Sequence, residues 1–302
     1  MSNKVAVIGA GTQGSMIAFR NALYGKDVSA YSRNESSREK CRARIERFAE
    51  FYVESGKLTA EEAEALKARI SYAKSLEEAC DGAYMVIENI PEKLELKQTM
   101  FEQLADICAE DVLLSSNTSS LLMSDICKNV PAERRKMTFQ VDHDDPVRNS
   151  YVEMMWNEAT SDETKKRALD HYHELGFEPV VTEFEQKGYS INRVWRAVKK
   201  ECLKVWANGS ILPEDFDRGW MAEWHTDVAP FKLMDLIGLD TILNIEYSYY
   251  NASGDPDDLP PEKFVKMVEE GHLGMKSGSG FYSGYDVEGG NLAVGKKNNE
   301  SK

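Results

Sequence analysis

The stretch KVAVIGAGTQG, residues 4–14, decides the fold. After Lys4 it runs apolar, as a parallel strand buried on both faces must. Glycines at 9, 11 and 14 follow in GxGxxG spacing, and a helix opens behind them. Each glycine has its own physical reason. Gly9 permits the tight turn, Gly11 lets backbone N–H groups approach a pyrophosphate, and Gly14 lets the helix pack on the strand, while the helix dipole favours the anion. Gly9, Gly11, Thr12, Gln13 and Gly14 are thus the expected phosphate loop of a dinucleotide cofactor. The spacing alone is a weak signal; its place between a first strand and a first helix makes it specific.

Outward from that loop, a helix is predicted from Ser15 to Tyr24 and a second strand over Val28–Tyr31. The charged, periodic residues 36–53 and the segment LTAEEAEALKARI after Lys57 predict two long helices. YMVIE (84–88) and VLLS (112–115) read as further buried strands, with a helix from Leu94 to Cys108 between them. Strands alternating with helices imply a doubly wound parallel α/β sheet, a Rossmann domain. Near residue 185 the pattern turns to helical periods alone, with helices expected over 191–207, 213–220 and 231–250. The expected organisation is a Rossmann domain over 1–184, an all-helical domain over 185–286 and a disordered tail over 287–302.

The bulk properties limit the partners. The chain has 302 residues, 42% of them hydrophobic and 29% charged, as in a soluble two-domain enzyme. A formal net charge of −14 argues against nucleic acid and anionic membrane surfaces, both of which repel such a protein at long range. The N-terminus enters a strand at once rather than a signal peptide, and no apolar run approaches the ~20 residues of a membrane span. Five scattered cysteines without CxxC spacing predict free thiols, no metal site and a cytoplasmic location.

The end of the second strand bears on the cofactor. A Rossmann domain for NAD usually carries Asp or Glu there, accepting from the ribose hydroxyls. This chain has Tyr31-Ser32-Arg33-Asn34. Ser32 removes a carboxylate that would repel a 2′-phosphate, and Arg33 offers a planar donor fork to hold one. NADP is therefore favoured over NAD.

Five strings in order resemble the 3-hydroxyacyl-CoA dehydrogenase family, including relatives that act on free hydroxy or keto acids. They are IENIPEKLELK (87–97), SSNTSSL (115–121), GYSINR (188–193), LMDLIGLDT (233–241) and GMKSGSGFY (274–282). The resemblance implies hydride transfer between NAD(P) and a 3-hydroxy or 3-keto group of a small-molecule substrate. It implies that Ser119 hydrogen-bonds the reacting oxygen and that Asn192 helps hold it. Glu92, Lys97 and Asn117 would lie at the cofactor, and Lys57 near the phosphate end of CoA. Each has a plainer alternative: Ser119 as a helix cap, Asn192 as a backbone partner, Lys57 as a solvated side chain. The resemblance also implies a homodimer through the C-terminal domain, where the apolar run FKLMDLIGLDTILNI (231–245) looks too hydrophobic to be buried alone.

Two departures from the family pattern stand out. The family places a catalytic His at a strand end and a Glu about twelve residues later, the Glu orienting the imidazole as general base. In MTFQVDHDDPVRNSYVEMM (137–155), Glu153 fits the Glu, but counting back reaches Val141 and counting forward from Asn117 reaches Gln140. His143 is the only imidazole nearby. It is the candidate base if the loop is reshaped, and otherwise a surface residue among Asp142, Asp144 and Asp145. A non-catalytic homologue that lost its base is the alternative function; an acidic loop meeting a cationic hydroxy acid is a third reading. The second departure is TDVAP (226–230), preceded by Trp220, Trp224 and His225, where relatives carry a Gly- and Pro-rich turn on the substrate side.

Overall fold

The computed structural model describes residues 2–285 and divides them into two compact units, one ending at Ile191 and one beginning at Asn192. The expected boundary at 184/185 lies a few residues earlier, and the predicted tail falls outside the described residues.

The first unit opens with β1 (Lys4–Ile8), α1 (Thr12–Leu23) and β2 (Asp27–Tyr31). The two predicted long helices follow as α2 (Glu35–Glu54) and α3 (Ala60–Ala68), then β3 (Ile70–Ala73) and α4 (Leu76–Cys80). Thr59 and Glu62 start α3 with a capping box, each satisfying a backbone N–H of the other. β4 (Ala83–Glu88), α5 (Leu94–Ile107) and β5 (Leu113–Asn117) come next, then two short helices, α6 (Met123–Ile126) and α7 (Ala132–Arg135). The unit closes with β6 (Thr138–Asp142), β7 (Tyr151–Met155), α8 (Asp162–Glu174) and β8 (Glu178–Thr182).

These strands form one sheet in the order β3-β2-β1-β4-β5-β6-β7-β8. All neighbours are parallel except β6 and β7, which pair antiparallel with Asp142 opposite Glu153. Alternate residues feed opposite faces. Val5, Val7, Phe139 and Val141 join Phe19, Ile45, Tyr172 and Phe177 in one core. Ala6, Ile8, Val86 and Leu114 join Phe101, Leu104 and Met123 in the other. The carboxyl ends of β1, β4, β5 and β6 lie along one edge, the ligand edge of an open parallel sheet.

The second unit is helical. α9 (Ser190–Ala207) runs across the unit boundary, and α10 (Pro213–Trp224), α11 (Pro230–Ile237), α12 (Leu239–Ser253) and α13 (Glu262–Glu269) follow. The single helix expected over 231–250 is two, broken at Gly238, whose φ of 101° ends α11. Phe231, Met234, Leu239, Ile242 and Leu243 are buried with Cys202, Leu203, Phe264 and Phe281 in this unit's own core. Much of the apolar run is thus covered within this unit, while Ile237 stays exposed. The GMKSGSGFY string is explained by Asp235, whose carboxylate accepts the Phe281 and Tyr282 N–H groups, each at 2.9 Å. A side chain on Gly280 would collide with that carboxylate. Among the described residues no helix is long and apolar enough to cross a membrane.

Candidate active site

The glycine loop is built by close approaches. A Cβ on Gly9, whose φ is +91°, would come within 2.7 Å of the Asn89 backbone, and one on Gly14 would collide with the Gly9 carbonyl. At Gly11 a Cβ would meet nothing within 4 Å. Gly11 is also the N-cap of α1 and supplies no side-chain cap. The loop thus leaves open space in front of a helix N-terminus, which fits the pyrophosphate of a dinucleotide. Gln13 serves the loop differently from expectation: its amide donates to the Asp144 carbonyl at 2.8 Å and ties α1 to the segment after β6. Ser32 is buried, and its hydroxyl accepts the Ala10 N–H at 3.0 Å, so it steadies the loop. Arg33 is exposed beside it.

The next strand ends hold a charged scaffold. Lys97 on α5 has no exposed surface; its ammonium donates to both Glu88 oxygens at 2.9 Å, to Ser116 Oγ at 3.3 Å and to the Asn117 carbonyl at 3.2 Å. Burial pushes the Glu88 carboxyl up from the ordinary carboxylate range, against the pull of Lys97 and Ser116. Glu92, also paired with Lys97 at 3.5 Å, gathers the next turn. Its Oε1 accepts the hydroxyls of Thr118 (2.5 Å) and Ser120 (2.9 Å) and the backbone N–H groups of Ser119 and Ser120 (both 3.1 Å). Burial raises the Glu92 carboxyl, but these donors and Lys97 more than offset it, and the net shift is downward. Of the three hydroxyls in the turn, Thr118 and Ser120 are spent on Glu92. Ser119 contributes only its N–H and stands exposed.

At β6 and β7 the expected pair does not meet. His143 is 2% exposed and lies against the rings of Tyr172 and Phe177. Its Nδ1 is 3.0 Å from Asn117 Oδ1, which makes Nδ1 the protonated nitrogen, while Nε2 is buried without a partner. Burial pushes this imidazole down to about 3, so it is neutral at ordinary pH. Glu153, equally buried, accepts from Tyr151 Oη and Thr182 Oγ1 at 3.0 Å and from the N–H groups of Ser190 (2.7 Å) and Ile191 (3.1 Å). It holds the first turn of α9, one residue before Asn192, rather than an imidazole. His143 follows the parity of Phe139 and Val141 onto the core face, against Tyr172 and Phe177. The acidic loop is likewise mostly structural. Asp145 Oδ1 accepts the Val147 and Arg148 N–H groups, Asp144 Oδ2 accepts from Asn149, and the Val147 carbonyl accepts from Tyr52 Oη.

Residues 4–185 match the family model described as the 3-hydroxyacyl-CoA dehydrogenase NAD-binding domain, and residues 188–284 match the C-terminal domain of the same family. The chain belongs to the 3-hydroxyacyl-CoA dehydrogenase family. It is 34% identical over 280 residues to a probable 3-hydroxybutyryl-CoA dehydrogenase of Bacillus subtilis, covering 92% of this chain and 96% of that protein. Among solved structures it resembles (S)-3-hydroxybutyryl-CoA dehydrogenase from Ralstonia eutropha (TM-score 0.83, 27% identity, 94% and 99% of the two chains). It also resembles a diketoreductase studied with dicarbonyl compounds (TM-score 0.83, 26% identity, 93% and 98%). As a member of this family the chain is an NAD-dependent oxidoreductase, and the non-catalytic alternative gives way.

In this family member the sequence reading missed Glu88 and Tyr52. A Glu closing the apolar run YMVIE was the available sign of Glu88, since a carboxylate there needs a buried partner. Nothing local marks Tyr52, because its partner lies 95 residues away. Lys57 is exposed in the turn between α2 and α3, its ammonium 4.9 Å from the Tyr52 ring centre.

Proposed function

We propose that this enzyme interconverts the 3-hydroxy and 3-keto groups of an acyl-CoA substrate. The exposed Ser119 hydroxyl, on a turn that Glu92 holds by four hydrogen bonds, carries the reading. It offers a donor to the reacting oxygen from a backbone that costs little to organise at reaction. Asn192, just beyond the Glu153-held turn of α9, is the second donor in this reading. A bound nicotinamide cofactor would supply the hydride chemistry, and the glycine loop would hold its pyrophosphate in the room that Gly11 leaves. The exposed Lys57 suits the phosphates of CoA, and the names of the relatives point to the same substrate class. The likeness to a diketoreductase supports a second reading, a free dicarbonyl or keto acid.

A panel of 3-ketoacyl-CoA esters and free 3-keto acids, assayed with NADH and NADPH, tests this. The ester should turn over with the higher kcat/KM, and Ser119→Ala should lower kcat about 100-fold or more with cofactor affinity unchanged. Turnover of the free acids alone would favour the second reading. NADP preference is part of the proposal: Ser32 supplies no carboxylate, and Arg33 is exposed, with no hydrogen bond or ion pair of its side chain among the described residues. NADPH should bind about tenfold or more tightly than NADH, and Arg33→Ala should abolish the difference. Equal affinities would rule it out. Dimerisation through the second unit is also proposed, supported by exposed Leu212, Trp224 and Val228, and light scattering tests it.

A further inference from the structure

The amino edge of the sheet, opposite the glycine loop, holds two cysteines that the chemistry above does not use. Cys80 is the last residue of α4, three before β4 begins, and Cys108 caps α5, five before β5 begins. β4 and β5 are parallel neighbours with Met85 opposite Leu113, and both cysteines belong to the core on one face of the sheet. There the S–H of Cys80 donates to the Cys108 sulfur.

A cation stands over the same turn. Arg134 on α7 is buried, and its Nη1 donates to the carbonyls of Glu110 at 2.7 Å and Val112 at 3.3 Å, in the turn that follows Cys108. Its Nε and Nη2 are buried without a hydrogen-bond partner. Unspent donors on a buried guanidinium cost free energy, and a neighbouring thiolate offsets that cost. The Cys80 donor and the Arg134 charge hold the Cys108 thiol below its ordinary value, against burial; the same bond, with burial, pushes Cys80 up. Cys108 is thus the nucleophile, and Cys80 the thiol that answers it.

The pair also has an approach. A hollow of about 490 Å³ is lined by Glu77, Glu78, Asp81 and Ile107, each within three residues of one of the two cysteines. Cys80 and Cys108 are 5% and 8% exposed, against 0%, 1% and 3% for Cys41, Cys127 and Cys202. Three carboxylates around the opening repel anionic oxidants such as glutathione disulfide and leave a small neutral peroxide free to enter.

We propose that Cys80 and Cys108 form a peroxide-responsive pair that closes to a disulfide, with Arg134 steadying the attacking thiolate. The Cys108 sulfur attacks one oxygen of hydrogen peroxide. An S–O bond forms, the O–O bond breaks, and the leaving hydroxide takes the thiol proton and departs as water. The Cys80 sulfur then attacks the sulfenic acid: the S–S bond forms, the S–O bond breaks, and a second water leaves with the Cys80 proton. The two thiols lose two electrons and the peroxide gains them. The link stops oxidation at a stage that a dithiol reverses.

The test treats the full chain with hydrogen peroxide in slight excess, counts thiols after denaturation and maps peptides without reduction. The thiols should fall from five to three, with Cys80 and Cys108 in one linked peptide, and dithiothreitol should restore all five. Cys80→Ser should leave Cys108 as a sulfenic acid that dimedone traps, and Cys108→Ser should leave Cys80 a thiol at the same dose. Arg134→Gln should slow closure about tenfold, because less thiolate is present to attack. Any other pairing, loss of Cys41, Cys127 or Cys202 at an equal rate, or five thiols intact at a large excess overturns the proposal. So does sulfinic acid at Cys108 without the link, or a folded Arg134→Gln protein that closes as fast as wild type. The wild-type peptide map decides the pairing even where a variant fails to fold.

Discussion

Two neighbouring corners of the ligand edge are built on opposite plans. At the ends of β4 and β5 the charges are inside: Lys97 and Glu88 are fully buried, and Glu92 joins them to a turn that leaves one hydroxyl outward. At the ends of β6 and β7 the imidazole is inside and uncharged, and Asp142 faces the other side of the sheet, across from Glu153. The first corner organises by charge pairing, the second by strand parity. A residue at the first corner is placed by its partners; at the second, a shift of one position changes which face a side chain serves.

The largest expected effect breaks the first plan. Lys97→Met leaves the Glu88 carboxylate buried without its counter-ion and should cost about 3–5 kcal/mol of stability by denaturant unfolding. A loss under about 1 kcal/mol would mean that Ser116 and backbone donors suffice for Glu88.

The second plan should show in pH dependence. Burial holds His143 and His171 down to about 3 in the folded chain, with Lys26 and His143 adding to the effect at His171. An unfolded His titrates near 6.5, so between those values the unfolded state binds more protons and stability falls as pH falls. The loss begins below about pH 6.5 and reaches on the order of 2 kcal/mol for each imidazole by pH 5. Urea titrations at pH 7 and pH 5 check this, and His143→Gln should flatten the slope by about half. An unchanged slope would place the imidazole in water. The smallest effect concerns Glu153. Tyr151→Phe removes one of its four donors and should cost about 1 kcal/mol, with Tm as the readout.

The same contrast explains what the sequence could show. The glycine loop, the alternating elements and the NTSS turn are local patterns, and their residues stand where local reasoning puts them. The resemblance points to Lys97 and Glu92, but that they form a scaffold under the turn depends on Glu88 and Ser116, which arrive from two strands. His143 was ambiguous because spacing across a reshaped loop cannot fix parity; only the pairing of Asp142 with Glu153 does. The expected helix over 231–250 runs through Gly238 because its apolar period continues on both sides of the break. The cover that the apolar run receives from α9, α13 and Phe281 is remote in sequence and cannot be read locally.

A crystal structure of the enzyme with reduced cofactor and a 3-keto substrate tests the placement of the two faces most directly. The account predicts the keto oxygen within hydrogen-bond distance of Ser119 Oγ, with His143 still against Tyr172 and Phe177. An imidazole turned out of that cage and bonded to the substrate oxygen would contradict it.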